Sequence, residues 1–429
     1  MRLTGSRAMR RRLVLAGCGG MGRRHMRAYR TLEDFEPGRL ELAAVVDREI
    51  ERAEFLAGEA EEILGSRPAC FTSIEDAIAA TPDLDVVDVV VAAAAHHVVV
   101  ETATAAGLHV LCEKPMAPGV RACRAMQSAA ERNGRVLSIA ENYRRDPIAR
   151  LLRAVLDAGG IGELRTVVDY AAGGGRGASA GGWQFKRVQG GSLLESGVHN
   201  ADLHLYFGGA IDTVHGQVRL REPLRYFRGE KVKPFHEHYS AEYPESQPAD
   251  APDVLLATYE YANGALGQWL YELAAQGPGF NRFTFWGSEG QVDMPGVRQG
   301  LPLKVYPGRS KEALPDEEVL ALAPDFGLDD RTARFFGGER LARYDNDHSD
   351  VGSGADLKLI AIEMAELLDA IEGDGKVEVD AEVGLAAVAL VMAAHESSEA
   401  GRPVTLQEVV DGSQSSYQDV ADRELGLLN

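Results

Sequence analysis

The chain has 429 residues, 45% of them apolar, and 45 Lys and Arg against 65 Asp and Glu give a formal net charge of −20. That length accommodates two domains of the usual ~100–200 residues, each with an ordinary globular core. The acidic balance argues against nucleic-acid and anionic-membrane partners, and no apolar run approaches the roughly 18 residues of a membrane span.

In chain order, residues 1–9, with scattered arginines, read as a disordered tail. Residues 13–22, Leu-Val-Leu-Ala-Gly-Cys-Gly-Gly-Met-Gly, can be read in two ways. As strand, then G-x-G-x-x-G (Gly17, Gly19, Gly22), then helix, they form a dinucleotide-binding turn. As an Arg-rich start ending in Leu15-Ala16-Gly17-Cys18, they resemble a lipoprotein cleavage site. The apolar stretch before Gly17 is only four residues long, well short of the about 7–15 that an export segment needs. In the turn, Gly17 permits the tight bend, Gly19 lets the backbone approach a pyrophosphate, and Gly22 lets the helix pack on the sheet. Gly20 and Met21 open that helix, whose first N–H groups aim at the phosphates. A second apolar strand, residues 42–47, ends in Asp47. An acid there hydrogen-bonds the adenine ribose and repels a 2′-phosphate, so NAD is expected; Arg48 beside it keeps NADP open.

Apolar runs then alternate with helical stretches up to about residue 140. The β-branched run at residues 86–91 suits a strand buried on both faces. A helix end at 101–107, a strand at 109–112, a helix at 121–133 and a strand at 136–140 continue the rhythm of a doubly wound parallel sheet. The expected first domain is therefore an α/β Rossmann unit over residues 10–141. The pattern changes after Asn142. Helices are expected at 147–159 and 191–207, and strands at 165–170, 255–261, 265–273, 283–287 and 291–294. A Gly-rich loop spans 173–182, and Asn263-Gly264 marks a hairpin. This second domain, residues 142–412, reads as α+β with an open-faced, largely antiparallel sheet. Within it, residues 300–354 are weakly periodic and read as a surface excursion. Helices at 357–372 and 381–400 close the core, and 413–429 form a tail. Cys18, Cys70, Cys112 and Cys123 show neither paired nor metal-type spacing, as expected of buried thiols in a cytoplasmic protein.

Three motifs carry chemistry. Glu113-Lys114-Pro115 follows a strand at the edge where ligands of such sheets bind. Asn142-Tyr143-Arg144-Arg145 leaves the first domain. Residues 190–202, Gly-Gly-Ser-Leu-Leu-Glu-Ser-Gly-Val-His-Asn-Ala-Asp, open the second domain's helix. There Glu195 and His199 are spaced i, i+4 and His199 and Asp202 i, i+3, so all three can share one face. Oxidising an alcohol removes a hydride as the hydroxyl proton departs, which needs a base; imidazole suits that role near neutrality. Lys114 can stabilise the developing alkoxide, while Glu113 and Lys114 adjoin the cofactor.

At these residues the chain resembles the glucose–fructose oxidoreductase / inositol dehydrogenase (Gfo/Idh/MocA) family, over most of its length. The Glu-Lys-Pro motif, the Gly-Gly-Gly-x-x-x-Asp-x-Gly-x-His-x-x-Asp helix matching residues 190–202, and the closing Gly401-Arg402-Pro403-Val404 carry the resemblance. It implies oxidation or reduction of a secondary hydroxyl of a sugar, glycoside or cyclitol with NAD(P), His199 as base, Lys114 as electrostatic partner, and Glu195 where the family has Asp. It also implies a homodimer or homotetramer through the sheet, for whose face Tyr259, Tyr261, Trp269 and Tyr271 are candidates. The chain departs from the family in Glu195, one methylene longer than Asp, and in Ala92–Ala95, where the family has Thr-Pro. Tyr143, Arg144, Trp183, Lys186 and Asp202 are further candidate substrate contacts. His236, Glu237 and His238 alternate as on an exposed strand, so no metal is expected. Two other functions share the site: a glycoside-cleaving enzyme that recycles bound NAD, and a non-catalytic NAD-sensing regulator.

Overall fold

The computed structural model describes residues 10–178, 181–227, 243–347 and 354–428. Strands β1 (Arg11–Ala16), β2 (Leu40–Val46), β3 (Ala69–Phe71), β4 (Val86–Val89), β5 (His109–Glu113) and β6 (Leu137–Ala140) form one sheet. Their order is β3-β2-β1-β4-β5-β6, and every pair is parallel. Helices α1 (Gly20–Phe35), α2 (Ile50–Leu64), α3 (Ile74–Ala80), α4 (His96–Ala105) and α5 (Val120–Asn133) alternate with the strands. All four residues of β4 are buried, as a central strand covered on both faces requires. The strand order reverses between β1 and β4, which opens the ligand crevice at the carboxyl edge. Asp47, Glu113 and Glu141 stand at the ends of β2, β5 and β6 on that edge.

Asp146 starts α6 (Pro147–Asp157) by accepting the Ile148 N–H, with Pro147 in the first turn, where its fixed φ and missing N–H are tolerated. Beyond it come β7 (Leu164–Gly174), β8 (Gly177–Ala178), α7 (Gly191–Gly208), β9 (Ile211–Arg219), β10 (Leu224–Phe227) and β11 (Ser246–Pro248). Then follow β12 (Val254–Tyr261), β13 (Leu266–Ala275), β14 (Phe280–Gly287), β15 (Gly290–Met294), β16 (Lys304–Pro307) and β17 (Val404–Thr405). The main sheet runs β16-β15-β14-β7-β13-β12-β9-β17, and β11-β10-β8 form a small second one. The main sheet is antiparallel except for β7 against β13. The β12–β13 hairpin turns at Asn263-Gly264, Gly264 having φ +84°. The Gly-rich loop is shorter than expected, because β7 runs on to Gly174.

Three expectations are corrected. Tyr259, Tyr261 and Trp269 are buried, not on the open face, and Tyr271 is half-buried. Period two fixes that these residues share a side but not which side meets a helix. Here α7 covers it: Gly197 leaves room for Trp269, and any Cβ at Gly208 would strike the Tyr261 ring. The open side presents Leu256 and Leu266 instead. Residues 300–347 are not a surface excursion. Phe335 stacks on Phe35 of α1 at 4.1 Å, Arg331 reaches Glu36 at 2.6 Å, and Tyr344 donates to Asp146 at 2.5 Å. Isolated aromatics wedged between two domains leave no period to read. Helix Gly354–Glu372 lies along α1 of the first domain, whereas Ala381–Ala400 packs on β9, α7 and α5. The closing segment is docked too, since Gln418 accepts the Val120 N–H that opens α5 at 2.8 Å. No helix among the described residues is long and apolar enough to cross a membrane.

Candidate active site

The glycine turn has the geometry its residues imply. Gly17 has φ +108°, and a Cβ there would collide with the Val90 carbonyl beyond β4. Gly22 packs as closely, against the Gly17 carbonyl. Gly19 caps α1 without a side-chain bond to the helix, and the first turn holds no acid. A Cβ on Gly19 would meet nothing within 4 Å. The uncapped N–H groups of Gly20, Met21 and Gly22 beside that open space fit a pyrophosphate. Asp47 ties the turn to β2: its carboxylate accepts the Cys18 N–H at 2.9 Å and the Glu49 N–H at 3.1 Å. Arg48 is exposed next to it. These residues fit the adenosine and diphosphate parts of a dinucleotide.

The other end of the edge is built from charge. The Lys114–Pro115 peptide is cis. The Lys114 ammonium donates to the Glu195 carboxylate at 2.8 Å and to the Glu195 backbone carbonyl at 3.1 Å. The first domain's cation thus touches α7 one turn before His199. Burial works against the charged lysine, but Glu195, then Glu113 and Glu141, outweigh it and hold its pKa above the ordinary value. Glu113 accepts the Lys114 N–H at 2.8 Å with one oxygen and meets His25 Nε2 at 3.1 Å with the other. His25 Nδ1 lies 2.8 Å from Asp88, which also accepts the Tyr29 hydroxyl. His25, Asp88 and Tyr29 are sealed from solvent. Burial pushes the His25 pKa down, but Asp88 and Glu113 prevail and hold it near 10. Burial likewise opposes ionisation of Glu113, yet His25 keeps its pKa near 2.

His199 is held on two sides. Its Nδ1 lies 2.7 and 2.8 Å from the two oxygens of Glu141. Its ring stacks on Tyr143 with centroids 3.9 Å apart and planes 2° apart. Behind Tyr143, the Arg298 guanidinium sits 4.8 Å from the ring centroid and donates to the phenol oxygen at 3.0 Å. Asp356 pairs with Arg298 and with Arg24 of α1. Burial raises the Glu141 pKa to about 7.

The remaining expected residues are engaged with other partners. Arg144 and Asp202 form a buried bidentate pair, at 2.9 and 2.5 Å, with Arg144 over the Tyr206 ring. Burial lifts the Asp202 pKa to about 6, against the pull of Arg144. Arg145 turns to Glu366 at 2.6 Å. Trp183 is a third exposed on the turn Gly182–Phe185, and the Lys186 ammonium is 3.6 Å from Asp250. His236, Glu237 and His238 lie outside the described residues.

Sequence reading passed over Glu141, His25, Asp88 and Arg298. A signal existed for two of them. Glu141 ends a sheet strand as Asp47 and Glu113 do, and Asp88 is an acid inside an apolar run. An acid in such a strand is retained only with a buried partner. His25 and Arg298 carry no such mark, since their partners are far away in the chain.

Two family models match the chain. Residues 11–141 match the oxidoreductase family with an NAD-binding Rossmann fold, and residues 149–293 match the GFO/IDH/MocA C-terminal domain. The levoglucosan dehydrogenase of Pseudarthrobacter phenanthrenivorans is 28% identical over 65% of this chain and 72% of its own. The D-glucoside 3-dehydrogenase of Escherichia coli is 29% identical over 60% of this chain and 69% of its own. In fold, an NAD binding oxidoreductase from Klebsiella pneumoniae superimposes with a TM-score of 0.72 at 23% identity, covering 92% of this chain and 99% of that one.

Proposed function

Because the chain belongs to the Gfo/Idh/MocA family of NAD-binding oxidoreductases, we propose that it oxidises a secondary hydroxyl of a sugar, glycoside or cyclitol, with His199 as base and Lys114 as its electrostatic partner. One observation carries the reading. Lys114 of the first domain hydrogen-bonds Glu195 of α7 at 2.8 Å, one helical turn before His199 on the same helix. A half-buried cation and an imidazole thereby border one crevice.

Bound NAD supplies acceptance of a hydride. The protein's own residues do the rest. His199 takes the hydroxyl proton, so that oxygen gains negative charge as the carbon loses its hydride. The Lys114 ammonium meets that charge with a fixed donor, and such a preorganised donor in a poorly hydrated site contributes several kcal/mol, about 10²–10³ in rate. Glu195 holds the ammonium in place, and its longer reach than Asp lets one residue offer Lys114 both carboxylate and carbonyl. Asp47 at the ribose end favours NAD over NADP. Tyr143 faces His199 and is the best placed of the candidate substrate contacts. The open sheet side, with Leu256 and Leu266 exposed, is our candidate for self-association into a dimer or tetramer.

The test uses the full chain with NAD⁺ and a panel of sugars, methyl glycosides and inositols, following NADH. We expect NADH with at least one class, lost in Lys114→Ala. NADH formation with none of them would sink the proposal, and glycoside cleavage without net NADH would replace it by the recycling reaction.

A further inference from the structure

We propose that Glu141 is the positioning residue of the base: its carboxylate fixes the Nδ1–H tautomer of His199, leaves Nε2 to take the substrate's proton, and then pairs with the imidazolium. This rests on the dehydrogenase reading above and adds a residue to it.

The geometry is specific. Both Glu141 oxygens lie within 2.8 Å of Nδ1, and the carboxylate side chain is 3% exposed. The ring cannot rotate away, because Tyr143 lies flat against it and Arg298 backs Tyr143. An ionised Glu141 only accepts hydrogen bonds, so Nδ1 must carry the proton and Nε2 the lone pair. When the substrate's O–H bond breaks, its proton forms a bond to Nε2 and the electron pair stays on oxygen. The carbon's hydride goes to the cofactor, and no atom leaves Glu141. The new imidazolium then faces a carboxylate in a medium of low dielectric, which stabilises it. A proton taken up from solution blocks the base in either form the pair can adopt: an imidazolium against the carboxylate, or a Glu141 O–H that donates to Nδ1 and shifts the ring proton to Nε2.

Several charges set where that uptake falls. Lys114 and Glu113 face the pair from the end of β5, Tyr143, Arg144 and Arg145 from the turn after β6, Glu195 and Asp202 from α7, and Glu363 from helix Gly354–Glu372. Burial dominates and raises Glu141 to about 7, so we expect the oxidation rate to fall on the acid side.

The test is Glu141→Gln in the full chain with NAD⁺ bound, with ring-labelled histidine observed by NMR and His199 assigned by its loss in His199→Asn. We expect the His199 ring to titrate about one pH unit or more lower in the variant, as loss of an adjacent carboxylate implies. We also expect kcat about 10²-fold lower, as for an impaired general base, with the KM for NAD⁺ within about twofold and the acid limb of the pH profile displaced. Glu141→Asp, whose carboxylate stops about one bond short, is expected to fall between the two. An unmoved His199 titration overturns the proposal. So does a kcat loss without a change in the pH profile, or one explained by a lower melting temperature. Because the titration needs no sugar, a wild type that turns over no polyol defeats the dehydrogenase reading and leaves this test intact.

Discussion

The two ends of the crevice are made in different ways. At the turn end, recognition rests on backbone: Gly17 and Gly22, where a Cβ would strike a carbonyl, Gly19 beside the open space, helix N–H groups, and one acid that ties the loop to β2. At the other end it rests on side chains from five separated segments, joined as Lys114–Glu195, His199–Glu141 and Glu113–His25–Asp88. A phosphate is a fixed charge, and a rigid set of N–H groups satisfies it. A migrating proton needs groups that change charge, and buried groups that change charge need partners. The turn is therefore local in sequence and the acid–base end is not.

Substitutions that affect only one end test this separation. The largest effect is expected for Lys114→Ala: about a 10³-fold loss in kcat, or about 4 kcal/mol, with the dissociation constant for NAD⁺ within about threefold by calorimetry. Equal losses in binding and rate would join the two ends into one device. Next comes Asp202→Ala, which strands Arg144 as a buried charge and should cost about 3 kcal/mol of stability in urea unfolding, leaving the sugar KM unchanged. A raised KM at unaltered stability would return Asp202 to the substrate contacts. At the turn end, Gly17→Ala should cost about 2 kcal/mol of stability, from positive φ and the Val90 carbonyl. Gly19→Ala should leave the melting temperature in place and weaken NAD⁺ alone, because its Cβ enters open space. Matching behaviour of the two glycine variants would refute the cradle.

A separate test is a pH dependence of stability. Protonated His25 is favoured by folding, so its contribution is complete below its ordinary 6.5 and disappears as pH climbs through about 10. Thermal melts should decline across that window, and His25→Asn should flatten the decline. A slope unchanged in the variant would assign it to other groups.

The sequence by itself determined much of this. Alternating apolar runs and helical stretches specified the parallel sheet, because a strand covered on both faces has little freedom in composition. Gly17, Gly19, Gly22 and Asp47 specified the turn, because positive φ at Gly17 and close approach at Gly22 exclude other residues and the spacing with Asp47 is that of a dinucleotide turn. Glu195 and His199 share a face of α7 through helical spacing alone. Tertiary structure decided the rest. Which side of the β12–β13 hairpin meets α7 depended on where Gly197 and Gly208 left room, and period two is blind to that. Residues 300–347 gave no period because their aromatics fill gaps between domains one at a time. Glu141 reaches His199 across 58 residues, and Glu113 reaches His25 across 88. Such pairs depend on low dielectric around both partners, and the chain acquires that only when it folds.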